Sequence, residues 1–191
     1  MIMNEGKLNF KFNEIGEVIK FDDDKFYRNY YMKLPQGKGV DFIYNDKKNL
    51  VFLEVKDCLG YEKENLDRII INSNKTESFD EEIAKKVAST LSCLLGAYTR
   101  ENSCSNAKIL SSLCNNINLI NIKNENKKIF VILLLEGEFN FKSKNKKMIM
   151  KSIQDSLKEK LKWLECKVSV IDLETNNKRF FEIDRIKERN C

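Results

Sequence analysis

The sequence predicts one α/β domain in which a central sheet is covered by helices, and three observations carry that expectation. Two strand-like runs, Val40–Tyr44 and Leu50–Val55, flank the polar segment Asn45-Asp-Lys-Lys-Asn49 and read as a hairpin. Ile129–Leu135 is apolar, rich in β-branched residues and of the length of a buried strand. Between and after these runs come amphipathic helical stretches, an order that builds a sheet with helices packed on it.

Taken along the chain, Lys7–Phe12 alternates polar and apolar residues, as a half-buried strand does. Asp24–Lys33 places Phe26, Tyr27, Tyr30 and Tyr31 at helical spacing, and Pro35, Gly37 and Gly39 end the segment. After the hairpin, Asp57–Ser78 is polar and reads as an irregular loop. Asp80 is then a suitable N-cap for a helix running to about Arg100, with Ile83, Val87, Leu91, Leu94, Leu95 and Tyr98 on one face. A second helix is expected over Ser105–Ile117. Lys144–Leu164 is a long amphipathic helix carrying Met148, Ile149, Ile153, Leu157, Leu161 and Leu164, and Lys167–Ile171 is the last strand. No repeat, linker or low-complexity stretch divides the chain, so one domain is expected over residues 1–191.

Composition narrows the chemistry. The chain contains no histidine, which removes Ser-His-Asp and Cys-His nucleophile systems and H-E-x-x-H metal sites. It has neither G-x-x-x-x-G-K-[ST] nor G-x-G-x-x-G. Hydrolysis without imidazole runs through carboxylates, lysine and a hard cation. The cysteines Cys58, Cys93, Cys104, Cys114, Cys166 and Cys191 form no C-x-x-C pair, which argues for buried thiols rather than a zinc ribbon or a disulfide framework. No apolar run approaches the roughly 20 residues of a membrane helix, and no charged-then-apolar leader opens the sequence, so a cytoplasmic location and no membrane partner are expected. The net charge of +5, from 34 basic and 29 acidic residues, is compatible with a polyanionic partner.

One segment concentrates reactive groups: Gly39-Val-Asp41-Phe-Ile-Tyr, followed after the turn by Leu50-Val-Phe-Leu-Glu54-Val-Lys56. Side chains alternate along a strand, so Phe52, Glu54 and Lys56 share one face, and the hairpin carries Asp41 toward Glu54. Glu5-Gly-Lys7, Asp46-Lys-Lys48, Glu125-Asn-Lys127 and Glu165-Cys-Lys167 also read acid-x-Lys. Glu54-Val-Lys56 differs from them in its hydrophobic strand and in the acid on the strand before. Charges on such a strand cost several kcal/mol to desolvate unless paired or ion-bound. Two carboxylates suit Mg²⁺, provided they lie within about 8 Å, the span of one shared hydrated ion.

These residues resemble the metal-binding hairpin of the PD-(D/E)XK nuclease superfamily, in which an Asp precedes a strand ending in (D/E)-x-Lys. The resemblance covers roughly residues 18–61, from Phe21-Asp-Asp-Asp-Lys-Phe-Tyr-Arg to Glu54-Val-Lys-Asp-Cys-Leu-Gly-Tyr61. It implies a restriction-endonuclease-like core of αβββαβ type, a central mixed sheet flanked by helices. It also implies Asp41 and Glu54 as ligands of Mg²⁺ or Mn²⁺, and Lys56 as the catalytic lysine of a phosphodiesterase acting on nucleic acid, DNA in the first place. Gly39-Val40 stands where many members carry proline. Members often add an acid from the first helix, and here Glu14, Glu17 and Asp22 remain open for that part. The alternative is a catalytically silent module of the same fold that binds nucleic acid, another protein or a second copy.

Three further features read first as ordinary structure. Lys142, Lys144, Lys146, Lys147, Lys151, Lys158, Lys160 and Lys162 make a solvated helix face, with a phosphate track as the alternative. The aromatic cluster Phe26, Tyr27, Tyr30 and Tyr31 reads as packing, with base stacking as the alternative. Asp22-Asp23-Asp24 reads as a negative helix start answering the helix dipole, with a cation site as the alternative.

Overall fold

The computed structural model describes residues 1–69, 76–117, 128–140 and 144–186. Its strands are β1 (Ile2–Glu5), β2 (Leu8–Phe12), β3 (Glu17–Lys20), β4 (Phe42–Asn45), β5 (Asn49–Asp57), β6 (Lys128–Glu136), β7 (Cys166–Ile171) and β8 (Phe181–Arg185). Its α-helices are α1 (Lys25–Asn29), α2 (Phe79–Thr99), α3 (Lys108–Ile117) and α4 (Lys146–Lys160). The fold is α/β, as expected. A five-stranded mixed sheet has the order β3-β4-β5-β6-β7, and an antiparallel sheet has the order β1-β2-β8.

Within the large sheet, β3, β4 and β5 form an antiparallel meander, and β5, β6 and β7 run parallel. Parallel neighbours need a crossover, and helical segments occupy both: α2 and α3 before β6, α4 before β7. The alternation along β5 and β6 assigns their faces. Leu50, Phe52, Val131, Leu133 and Leu135 belong to the core shared with the buried faces of α2, α3 and α4. Val51, Leu53, Val55, Phe130, Ile132 and Leu134 belong to a second core, with Leu8, Phe10, Phe12 and Phe181 of the small sheet. Because β5 is covered on both faces, its residues are apolar almost throughout.

The differences from expectation have local causes. Asp80 does not cap α2, which begins a residue earlier with Ser78 at the N-cap position. Asp80 is instead buried, pairing with Lys160 at 2.8 Å and accepting a hydrogen bond from Ser156 at 2.6 Å, and so ties α2 to α4. The helix expected over Asp24–Lys33 is shorter: Asp24 caps α1 by accepting from the Tyr27 N–H at 2.9 Å, and after Tyr30 the chain tightens into a 3-10 turn over Tyr31–Lys33. The expected helix over Lys144–Leu164 spans Lys146–Lys160, started by Asn145, whose side chain accepts from the Met148 N–H. Leu95 and Tyr98 turn outward from α2, while Cys93 and Ala97 face the core.

Half of the aromatic cluster is packing, while Tyr30 is exposed and Tyr31 partly so. Phe26 and Tyr27 are buried, and the Tyr27 hydroxyl accepts a hydrogen bond from the Gly39 N–H at 3.1 Å. Along α4 the lysines pair with acids, Lys146 with Asp172, Lys151 with Asp155 and Lys160 with Asp80, which favours the solvated face. Lys142 and Cys191 lie outside the described residues. Among the described residues the cysteines are free, with Cys58, Cys93, Cys104 and Cys114 buried, and no helix is long and apolar enough to cross a membrane.

Candidate functional site

Asp41 immediately precedes β4, and the pairing of Phe42 with Leu53 places it opposite Glu54. Residues directly opposite on antiparallel strands project to the same side of the sheet. Here that side is the one covered by α2. Three contacts fix the approach to Asp41. The Gly39 N–H donates to Tyr27, the Val40 N–H donates to Thr90 Oγ1 at 3.0 Å, and the Phe21 N–H donates to the Asp41 carbonyl at 2.8 Å. Gly39 is required by close approach, since a Cβ there would stand 2.2 Å from the Phe21 ring. The Asp41 side chain then reaches across the hairpin, and its Oδ2 accepts from the Val55 N–H at 2.6 Å.

Asp41, Glu54 and Lys56 are brought together. Lys56 Nζ lies 2.8 Å from Glu54 Oε1. Helix α2 adds groups that the sequence pattern did not single out. Lys86 Nζ lies 2.6 Å from Glu54 Oε1 and 3.9 Å from Asp41 Oδ1. Two oxygens that share one ammonium at these distances fall within the roughly 8 Å a hydrated ion can span. Glu82, one turn before Lys86, accepts from Lys56 at 3.0 Å and pairs with Arg68, whose guanidinium also lies over the Phe79 ring. Glu54 is 1% exposed, and its Oε2 has no hydrogen-bond partner among the described residues.

Burial raises the pKa of Asp41 to about 7; the neighbouring Glu54 charge adds to this, and Lys86 and the Val55 N–H only partly oppose it. Burial also works against the charge on Lys86, but Glu54 and Asp41 outweigh it and hold the ammonium above its ordinary value. For Glu82 burial pushes upward, while Lys56, Lys86 and Arg68 prevail and keep the carboxyl below its ordinary range. Of the three open N-terminal acids, Glu14 and Glu17 are exposed. Asp22 follows the residue bonded to the Asp41 carbonyl, is half-buried, and feels the charges of Lys86 and Glu54; its pKa is raised, chiefly by burial.

Glu82, Lys86 and Thr90 repeat at i, i+4, i+8 beside the apolar stripe of Ile83, Val87 and Leu94. That polar stripe on a core-facing helix was the signal available in the sequence. Among the described residues no three acidic or thiol side chains close into a ready cation cage. The site is two carboxylates with an ammonium between them, a lysine on the same strand, and a second acid-base layer from α2 leading toward solvent at Lys56 and Arg68.

No curated protein and no solved structure matches the chain. A family model does match, over residues 24–185, a span that includes Asp41, Glu54, Lys56, Arg68, Glu82 and Lys86. The chain belongs to that family, DUF6661, a family of unknown function.

Proposed function

We propose that this protein is a metal-dependent phosphodiesterase of the restriction-endonuclease-like fold, acting on nucleic acid, with DNA as the first substrate to test. The observation that carries the reading is the pair Asp41 and Glu54 converging on one cation across a buried hairpin, with Lys56 two residues on along the same face. The element order from β3 onward supports it: an antiparallel meander, a helical crossover to a parallel strand, then a helix and a further strand. The departure is at the start, where β1 and β2 stand in place of an opening helix and α1 falls between β3 and β4.

The residues fit a hard divalent ion. Both acids offer carboxylate oxygens, and the unpartnered Glu54 Oε2 is a buried acceptor awaiting a donor or a cation. Asp41 and Glu54 would hold Mg²⁺ or Mn²⁺, and of the three N-terminal acids Asp22, half-buried and within reach of the Glu54 and Lys86 charges, is the candidate for a further ligand. The ion would supply a water of lowered pKa and charge neutralisation at phosphate. Asp41, whose carboxyl burial pushes up to about 7, would serve as a ligand in its ionised form. Lys56, at the more exposed edge of the cluster, orients the attacking water or neutralises the developing negative charge. Arg68, held over Phe79, is placed to meet a phosphate from the solvent side.

The test is cleavage of plasmid DNA and of single-stranded RNA with Mg²⁺ or Mn²⁺. Asp41→Ala, Glu54→Ala and Lys56→Ala are each expected to lower the rate at least 100-fold, with Lys56→Ala alone keeping metal binding. A second reading rests on one observation: Lys56, Lys86 and Arg68 already neutralise much of the cluster's negative charge. On that reading the fold is catalytically silent and binds nucleic acid or a protein. It is favoured if the wild type neither cleaves nor binds metal, and if Lys56→Ala unfolds the protein.

A further inference from the structure

Lys86 is an unusual residue to find facing a core. It is 9% exposed, on a helix packed against the central sheet, and its ammonium stands between two carboxylates at 2.6 and 3.9 Å. A lysine retained there only to neutralise one acid would leave that acid's oxygens satisfied. Instead Glu54 Oε2 has no partner among the described residues, and Asp41 Oδ1 is held at a distance longer than a direct hydrogen bond. Lys86 and Lys56 both crowd Glu54 Oε1, which leaves the other buried oxygen of the same carboxylate without a donor among the described residues. A third carboxylate waits on the same helix: Glu82 Oε1 lies 3.9 Å from Lys86 Nζ, one helical turn away.

We infer that Lys86 is a placeholder cation, occupying the position that a divalent ion takes between Asp41 and Glu54 and transferring to Glu82 when that ion binds. This rests on the metal-site reading above and adds to it the group that must leave. The two arrangements keep every charge paired. With no divalent ion, Lys86 compensates Asp41 and Glu54, so the buried hairpin folds without self-repulsion. With the ion bound, Lys86 would be repelled by a double charge at the distance it now holds from the carboxylates, and Glu82 gives it a partner without exposure. Glu82 already receives Lys56 and Arg68, so those two can shift toward an incoming phosphate as Lys86 arrives. Metal affinity is thus set by competition: the intrinsic affinity of the carboxylates is reduced by the free energy of moving one ammonium.

Two measurements test this on the full chain. By calorimetry with Mn²⁺, Lys86→Gln is expected to bind at least 10-fold more tightly than wild type, because the competing charge is gone. In wild-type crystals soaked with Mn²⁺, an anomalous peak is expected between Asp41 and Glu54, with Lys86 Nζ moved to Glu82. The crystal arm stands even if the variant fails to fold. Equal or weaker affinity in Lys86→Gln, or a peak with Lys86 still on Glu54, overturns the placeholder and leaves the metal site standing. No heat in either protein and no peak in the crystal brings down the metal site itself, and the placeholder with it.

Discussion

Glu54→Ala is expected to destabilise the metal-free protein by about 3 kcal/mol, at the lower edge of the range for breaking a buried ion pair. The residue is 1% exposed and contacts two ammonium groups at 2.6 and 2.8 Å. Removing it leaves Lys86 buried with partners only at 3.9 Å, while Lys56 keeps Glu82 at 3.0 Å. That retained partner is why the loss falls at the lower edge. Converting the pair together, Glu54→Leu with Lys86→Met, should recover most of it, since a well-packed apolar pair costs little where a lone charge costs much. By contrast, Asp155→Ala removes an exposed pair on α4 and is expected to cost less than about 1 kcal/mol. Urea denaturation of the four proteins checks the set. A Glu54→Ala loss as small as that of Asp155→Ala would mean that the buried pairs contribute no more than surface ones.

Asp41→Asn is expected to remove a pH dependence of several kcal/mol. The native carboxyl titrates near pH 7, against an ordinary value of 3.8. Between those values the folded protein holds a proton that the unfolded chain has released, so stability falls as pH rises. The contribution is fully present below about pH 4 and lost once pH passes 7; at ~1.4 kcal/mol per unit it amounts to roughly 4 kcal/mol. Asp22 and Glu136 shift in the same direction, and Glu82, Asp80 and Asp172 in the opposite one. The difference between wild type and Asp41→Asn therefore isolates the residue. Thermal melts from pH 4 to 8 in a chelating buffer should show the variant gaining on wild type as pH rises. Parallel curves would place the Asp41 titration elsewhere.

Much of this site was legible before any coordinates. Period-2 alternation put Glu54 and Lys56 on one face, and the hairpin carried Asp41 toward Glu54 on condition of its register; the pairing of Phe42 with Leu53 supplies that register. The central helices and the strands β2, β4, β5, β6 and β7 follow from hydrophobic period. The missed strands, β1, β3 and β8, are short and lack a continuous apolar pattern. β1 is largely solvent-facing, and β8 alternates charge with Phe181 and Ile183. β1 joins β2 through the two-residue turn Gly6-Lys7, whereas β8 pairs with β2 from the far end of the chain, where no local window contains the reason it forms. Lys86 and Glu82 went unnoticed for a different reason. Glu82, Lys86 and Thr90 form a polar stripe beside the apolar one, and such a stripe fits a solvated flank as well as an inward-facing one until α2 packs on the sheet. The same cause misassigned Asp80, whose side chain is spent on Lys160 rather than on the helix start.

The most direct test of the account is Mn²⁺ titration at pH 8, where Asp41 is ionised, followed by calorimetry in wild type, Asp41→Asn, Glu54→Gln and Lys56→Met. Wild type is expected to bind one ion, each carboxylate variant to lose at least 10-fold in affinity, and Lys56→Met to retain binding. Equal affinity in all four, or no binding by a folded wild type, would contradict it.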